Sequence, residues 1–135
     1  MKEIIPQEVV ESKILFIRDK KVILDRDLAM LYGVETRTLN QAVKRNIKRF
    51  PPDFIFQLTA EEMKNWKSQI VMSNQEKMGI RRRPYAFTEN GVAMLSSVLN
   101  SERAITVNIQ IMRTFTRIRE LLSTDNNLAR RLDEL

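Results

Sequence analysis

The chain has 135 residues with 23 Lys and Arg against 17 Asp and Glu, a net charge of +6 and a pI near 9.9, which suits one domain with a polyanionic partner. It contains no cysteine and no histidine, which excludes a disulfide scaffold, a thiolate zinc site, a cysteine nucleophile and the commonest general base and metal ligand. The acidic residues are scattered without a recurring pair, so the composition predicts no enzyme, no cofactor and no metal site.

The N-terminal stretch MKEIIPQEVVESKILFI interrupts its apolar runs with Glu3, Pro6, Glu8, Glu11 and Lys13. It reads as neither a secretory leader nor a membrane span, and the expected location is the cytoplasm, at the nucleoid. Residues 14–24, ILFIRDKKVIL, form two runs rich in Ile, Leu and Val around Arg18, Asp19, Lys20 and Lys21. They predict a β-hairpin, although the turn lacks the usual Asn-Gly or Asp-Gly pair.

Leu28, Leu31 and Tyr32 repeat at three and four after Asp25, and Gly33 stands where a C-terminal cap belongs, predicting a short helix. Residues 36–50, TRTLNQAVKRNIKRF, carry five basic side chains and no acidic one. At about 100° per residue, Leu39, Val43, Ile47 and Phe50 share one stripe and Arg37, Gln41, Lys44 and Lys48 the opposite one. Thr36 is the expected cap of this helix and Pro51-Pro52 its stop. Two helices, a brief turn and a basic second helix make a helix-turn-helix pattern. Taken alone, the basic stripe fits a solvated bundle face equally well.

Beyond the prolines, Phe54, Phe56 and Leu58 alternate as on a half-buried strand. Thr59 to Glu62 has capping-box spacing, opening a helix with Met63 and Trp66 inward. Residues 68–83 show no sustained period and are expected to be a loop, ending in Arg81, Arg82 and Arg83. Residues 84–87 suit a strand, and Thr88 caps a helix expected to reach Leu99, with Val92, Leu95, Val98 and Leu99 buried.

Ser101 caps the longest predicted helix, residues 102–122, whose apolar arc of roughly 200° calls for burial on two sides. Either its own chain wraps it, or one side pairs with a second subunit in a homodimer. After a break at Asp125, Asn126 and Asn127, the spacing of Leu128, Leu132 and Leu135 begins a coiled-coil seam. Residues 1–122 are thus the domain and 123–135 the start of a helical extension, which either continues in a longer parent or folds back. The fold class is α+β: a small domain with a helix-turn-helix-like pair, short β-strands with a hairpin, and a long C-terminal helix.

Taken in order, LAMLYGV, TLNQAVKRNIKRFPPDFIFQLT and RRPYAFTENGVAMLSSVLNSERAITVNIQIMRTF resemble the N-terminal DNA-binding domain of the phage open-reading-frame-six type. That domain belongs to the wider KilA-N and Bro-N group of phage antirepressors and bacterial relatives. The resemblance covers about residues 10–120. It implies a small α+β domain that binds double-stranded DNA, commonly joined to a separate C-terminal domain.

On this reading residues 36–50 are the recognition helix. Arg37, Thr38, Gln41, Lys44 and Arg45 are placed to meet the groove. Arg37 suits guanine and Asn40 or Gln41 adenine, while Lys44, Lys48 and Arg49 suit phosphates. Arg81, Arg82 and Arg83, beside Tyr85, form an arm for the backbone or the minor groove, or else a solubilising loop. Tyr32, Phe54, Phe56, Trp66, Phe87 and Phe115 and the seven methionines are expected in the core. A repressor protein captured on the wide C-terminal helix, and RNA in place of duplex DNA, are the competing partners.

Overall fold

The computed structural model describes the backbone of residues 5–70 and 72–133, and their side chains except 124–129 and 133. The N-terminal stretch forms α1 (Gln7–Lys13), an element the sequence pattern did not predict, with Val10 buried. The expected hairpin follows as β1 (Leu15–Ile17) and β2 (Lys20–Leu24). Arg18 and Asp19 both take positive φ, 57° and 61°, as a two-residue turn must to match the right-handed twist of its strands. No glycine relieves that turn; it is held from outside. The Arg18 guanidinium donates two hydrogen bonds of 2.9 Å to the Glu62 carboxylate and lies 4.1 Å from the Phe56 ring centroid.

The four-stranded antiparallel sheet has the order β1-β2-β4-β3, with β3 at Ile55–Gln57 and β4 at Tyr85–Thr88. Because side chains alternate along strands, Ile23 and Phe87 enter one core and Val22, Leu24 and Ala86 another. The second core is closed by α4 (Ala60–Gln69) through Met63 and Trp66. Its start is the expected capping box: Thr59 and Glu62 exchange bonds of 2.8 and 3.1 Å. The first core is closed by α2 (Asp25–Tyr32), α3 (Thr36–Arg45), α6 (Glu89–Leu95) and α7 (Glu102–Asp133).

Several boundaries depart from expectation. Glu35, not Thr36, precedes the first turn of α3, and no side chain caps it. The basic helix also stops at Arg45 rather than Phe50. There the Asn46 amide donates to the Ala42 carbonyl at 2.8 Å, competing for the helix's own backbone, and the chain tightens into a 3-10 turn, Ile47–Arg49. That break returns Phe50 to the core, edge-on to Phe87 at 6.1 Å, but turns Ile47 out to 58% exposure.

The loop expected over 68–83 contains α5 (Asn74–Gly79), whose first turn is capped by Ser73 accepting from the Glu76 N–H at 3.1 Å. Helix α6 ends at Leu95, four residues early, where Ser97 donates to the Met94 carbonyl. Helix α7 continues unbroken through the expected interruption at 125–127. The side chains of Leu128 and Leu135, on which the seam rested, lie outside the described residues; Leu132 is exposed.

α7 is the spine of the fold. Ala104, Val107, Ile111 and Phe115 are buried against α1, α2 and α6. Buried Asn108 donates to the Tyr32 hydroxyl at 2.9 Å and to the Val92 carbonyl at 2.7 Å. Burial pushes the Tyr32 phenol up to about 12 despite that bond.

Candidate nucleic-acid interface

The helix pair is fixed before it presents anything. Gly33 closes α2 in the left-handed conformation at φ 73°, and the Val34 N–H returns to the Ala29 carbonyl at 2.9 Å. Asp25 opens α2 with a carboxylate only 3% exposed. One oxygen accepts from the Arg26 N–H at 2.7 Å and the other from the Asn40 side-chain amide at 2.9 Å. A buried carboxylate demands such partners, and this one ties the start of α2 to the middle of α3.

With Leu39 and Val43 buried, Arg37, Thr38, Gln41, Lys44 and Arg45 are all exposed. Gln41 sits on the crest. On one side of it, Arg37 and Lys44 border an open groove of about 740 Å³ that extends to β3. On the other, Thr38 and Arg45 border a shallower one of about 290 Å³ that reaches the α6–α7 connection at Leu99 and Asn100. Asn40 differs from its neighbours: it is half-buried, with its amide committed to Asp25. Lys48 and Arg49 are exposed, but on the 3-10 turn rather than on the helix.

The three arginines lie in the connection from α5 to β4 and are exposed. β3 and β4 form a wing across the larger groove from α3, with α4 and α5 inserted between the two strands in the chain. This brings Arg82 into the larger groove with Arg37 and Lys44, its guanidinium 5.5 Å from the centroid of the half-buried Tyr85 ring. Arg81 and Arg82 also border a cleft of about 440 Å³ that reaches Thr36 at the start of α3. The Arg83 side chain lines neither space; its carbonyl accepts from the Gln57 amide at 3.1 Å.

The larger groove therefore carries Arg37, Gln41, Lys44 and Arg82 with no Asp or Glu, and Arg81 lies on the adjoining cleft, which Asp25 also lines. Such a surface can offer an anion cationic, forked and amide hydrogen bonds. No cluster of possible metal ligands occurs among the described residues. Gln57 carries no mark in the sequence pattern and joins the groove because β3 lies across it from α3. Of the aromatic residues expected in the core, Tyr32, Trp66, Phe87 and Phe115 are buried, while Phe54 and Phe56 are half-buried. No helix among the described residues is long and apolar enough to cross a membrane.

A family model described as the ORF6N domain matches residues 12–98, well over half of the chain. Comparison with the curated proteins and with the solved structures gave no match.

Proposed function

Starting from the ORF6N domain family, to which the chain belongs, we propose that this protein is a sequence-specific double-stranded-DNA-binding domain of a phage-type transcriptional regulator. The observation that carries the reading is the joint exposure of Arg37, Gln41 and Lys44 on α3 and of Arg82 from the wing around one groove. Helix α3 enters the major groove with its early residues toward base edges. Arg37 supplies the two-pronged contact that suits guanine, and Gln41, on the crest, the amide pair that suits adenine. Asn40 serves instead as the positioning residue that locks α3 to Asp25. Lys44, Arg45, Lys48 and Arg49 meet phosphates, and Arg81 and Arg82 follow the neighbouring backbone or minor groove. The domain works by binding, without a catalytic step, in the cytoplasm at the nucleoid.

The test is selection of bound sequences from a random duplex pool, followed by titration with salt. A recovered motif and an affinity falling steeply as salt rises are the expected results. Arg37→Ala should relax preference at one position, costing about 1–3 kcal/mol there, whereas Lys48→Ala should weaken all duplexes alike. Undetectable affinity for any duplex at low salt would sink the proposal.

A further inference from the structure

The larger groove has properties that phosphate contacts do not use. Its floor is apolar, made by Val43, Ile47, Phe50 and Ile55. Ile47 is 58% exposed there, a large aliphatic side chain inside an otherwise basic segment. Phosphates need cations and amides from such a surface, whereas an exposed isoleucine gains only by losing water.

The rim is cationic. Arg37, Lys44 and Arg82 line it, and none of the three takes part in an ion pair found among the described residues. The far wall is β3, an edge strand with no strand on its outer side among the described residues. The Ile55 N–H on that edge is already taken by the Pro51 carbonyl at 3.2 Å, so the edge is open toward Gln57, where it can meet one more extended segment.

We propose that this groove captures an extended acidic peptide of a partner protein, its alternate apolar side chains on the floor and its carboxylates on the rim. The peptide adds to the edge of β3 and covers Arg37 and Lys44. It therefore excludes whatever else those residues hold. The capture stands on the groove alone; the exclusion of duplex rests on the DNA reading above.

The test is selection of random dodecapeptides displayed on phage, using the full chain as bait, with the enriched peptides then synthesised and titrated by fluorescence anisotropy. Enriched sequences should alternate acidic and apolar residues. Their binding should fall at least tenfold with Ile47→Ser, a neutral change at an exposed site, and should be displaced by duplex. Ile47→Ser should leave duplex affinity within twofold. The proposal is overturned if nothing is enriched, if the enriched peptides lack acidic residues, or if they bind Ile47→Ser as well as the original chain. It is also overturned if Ile47→Ser costs duplex affinity as much as peptide affinity, because the floor then belongs to the DNA contact. Peptide capture by a chain that binds no duplex would leave this proposal standing and remove the other.

Discussion

Asp25 decides where α3 sits. Its carboxylate is buried, and Asn40 is the only side chain hydrogen-bonded to it among the described residues. Asn40→Ala leaves one oxygen without that partner and should cost about 1–3 kcal/mol of stability in a urea melt. Duplex affinity should fall for all sequences alike, unlike the position-specific effect of Arg37→Ala. The same tie shows why one site residue was assigned differently from sequence. An amide at this helical position looks like an adenine reader by type and spacing, and the burial of a carboxylate fifteen residues earlier leaves no mark in the local pattern. Glu62 gives a second prediction at this scale. The Arg18 guanidinium holds its carboxyl down at about 2, from an ordinary 4.5. A lowered folded-state value means that the contribution is complete above about pH 4.5 and lost as pH falls toward 2. Glu62→Gln should flatten the acid limb of the stability curve in that window, by a small amount because the pair faces water.

Helix α6 meets the residue just before β3 at one glycine. A Cβ on Gly91 would lie 2.1 Å from the Phe54 carbonyl oxygen, which already accepts from the Thr88 N–H at 3.0 Å. Gly91→Ala should therefore cost about 1–3 kcal/mol or more in thermal melts and displace β3, the far wall of the groove. Gly79, at the end of α5, has nothing within 4 Å of such a Cβ. Gly79→Ala should be stabilising by about 0.5–1 kcal/mol, which separates steric conflict from the generic effect of adding a methyl. Elements with both periodicity and caps were legible: α2 through Gly33, α4 through Thr59 and Glu62, and α6 through Thr88. Helix α5 has only six residues, too few for a period, and its one signal was the spacing of Ser73 and Glu76. α7 was cut short because Asp125, Asn126 and Asn127 favour turns in isolation, a weak preference set against a helix already propagating from a packed spine. The break at Asn46 was hidden by an apolar stripe that stays in phase through Ile47, although the chain has already left the helix.

For the whole molecule the decisive element is α7. Val107, Ile111, Thr114 and Phe115 are buried in the body, yet Leu121, Leu122 and Leu132 are exposed. At about 100° per residue these leucines lie on the same side as the buried set: the stripe runs on after the body has ended, past the ion pair of Arg119 with Glu89. Ile105 and Ile109, on the opposite side, are exposed as a smaller patch. The two apolar sides expected of this helix are present, and a second copy meeting the first along the overhang would bury the leucines as a seam. Sedimentation of the intact chain should give a dimer. Leu121→Glu with Leu122→Glu should give a folded monomer, and a monomeric intact chain at high concentration would sink the idea.

With α3 as the proposed reader of the duplex, its early end would also limit how long an address one copy can hold. Ten helical residues rise about 15 Å, and at about 3.4 Å per base pair they pass roughly four pairs. A four-letter word recurs by chance roughly once in 250 positions, far too often to mark a place in a genome that offers about a million or more competing sites. Two copies joined through α7 would spell roughly eight letters, recurring by chance about once in 65,000. Each further letter read by Arg81 or Arg82 would make the word about four times rarer.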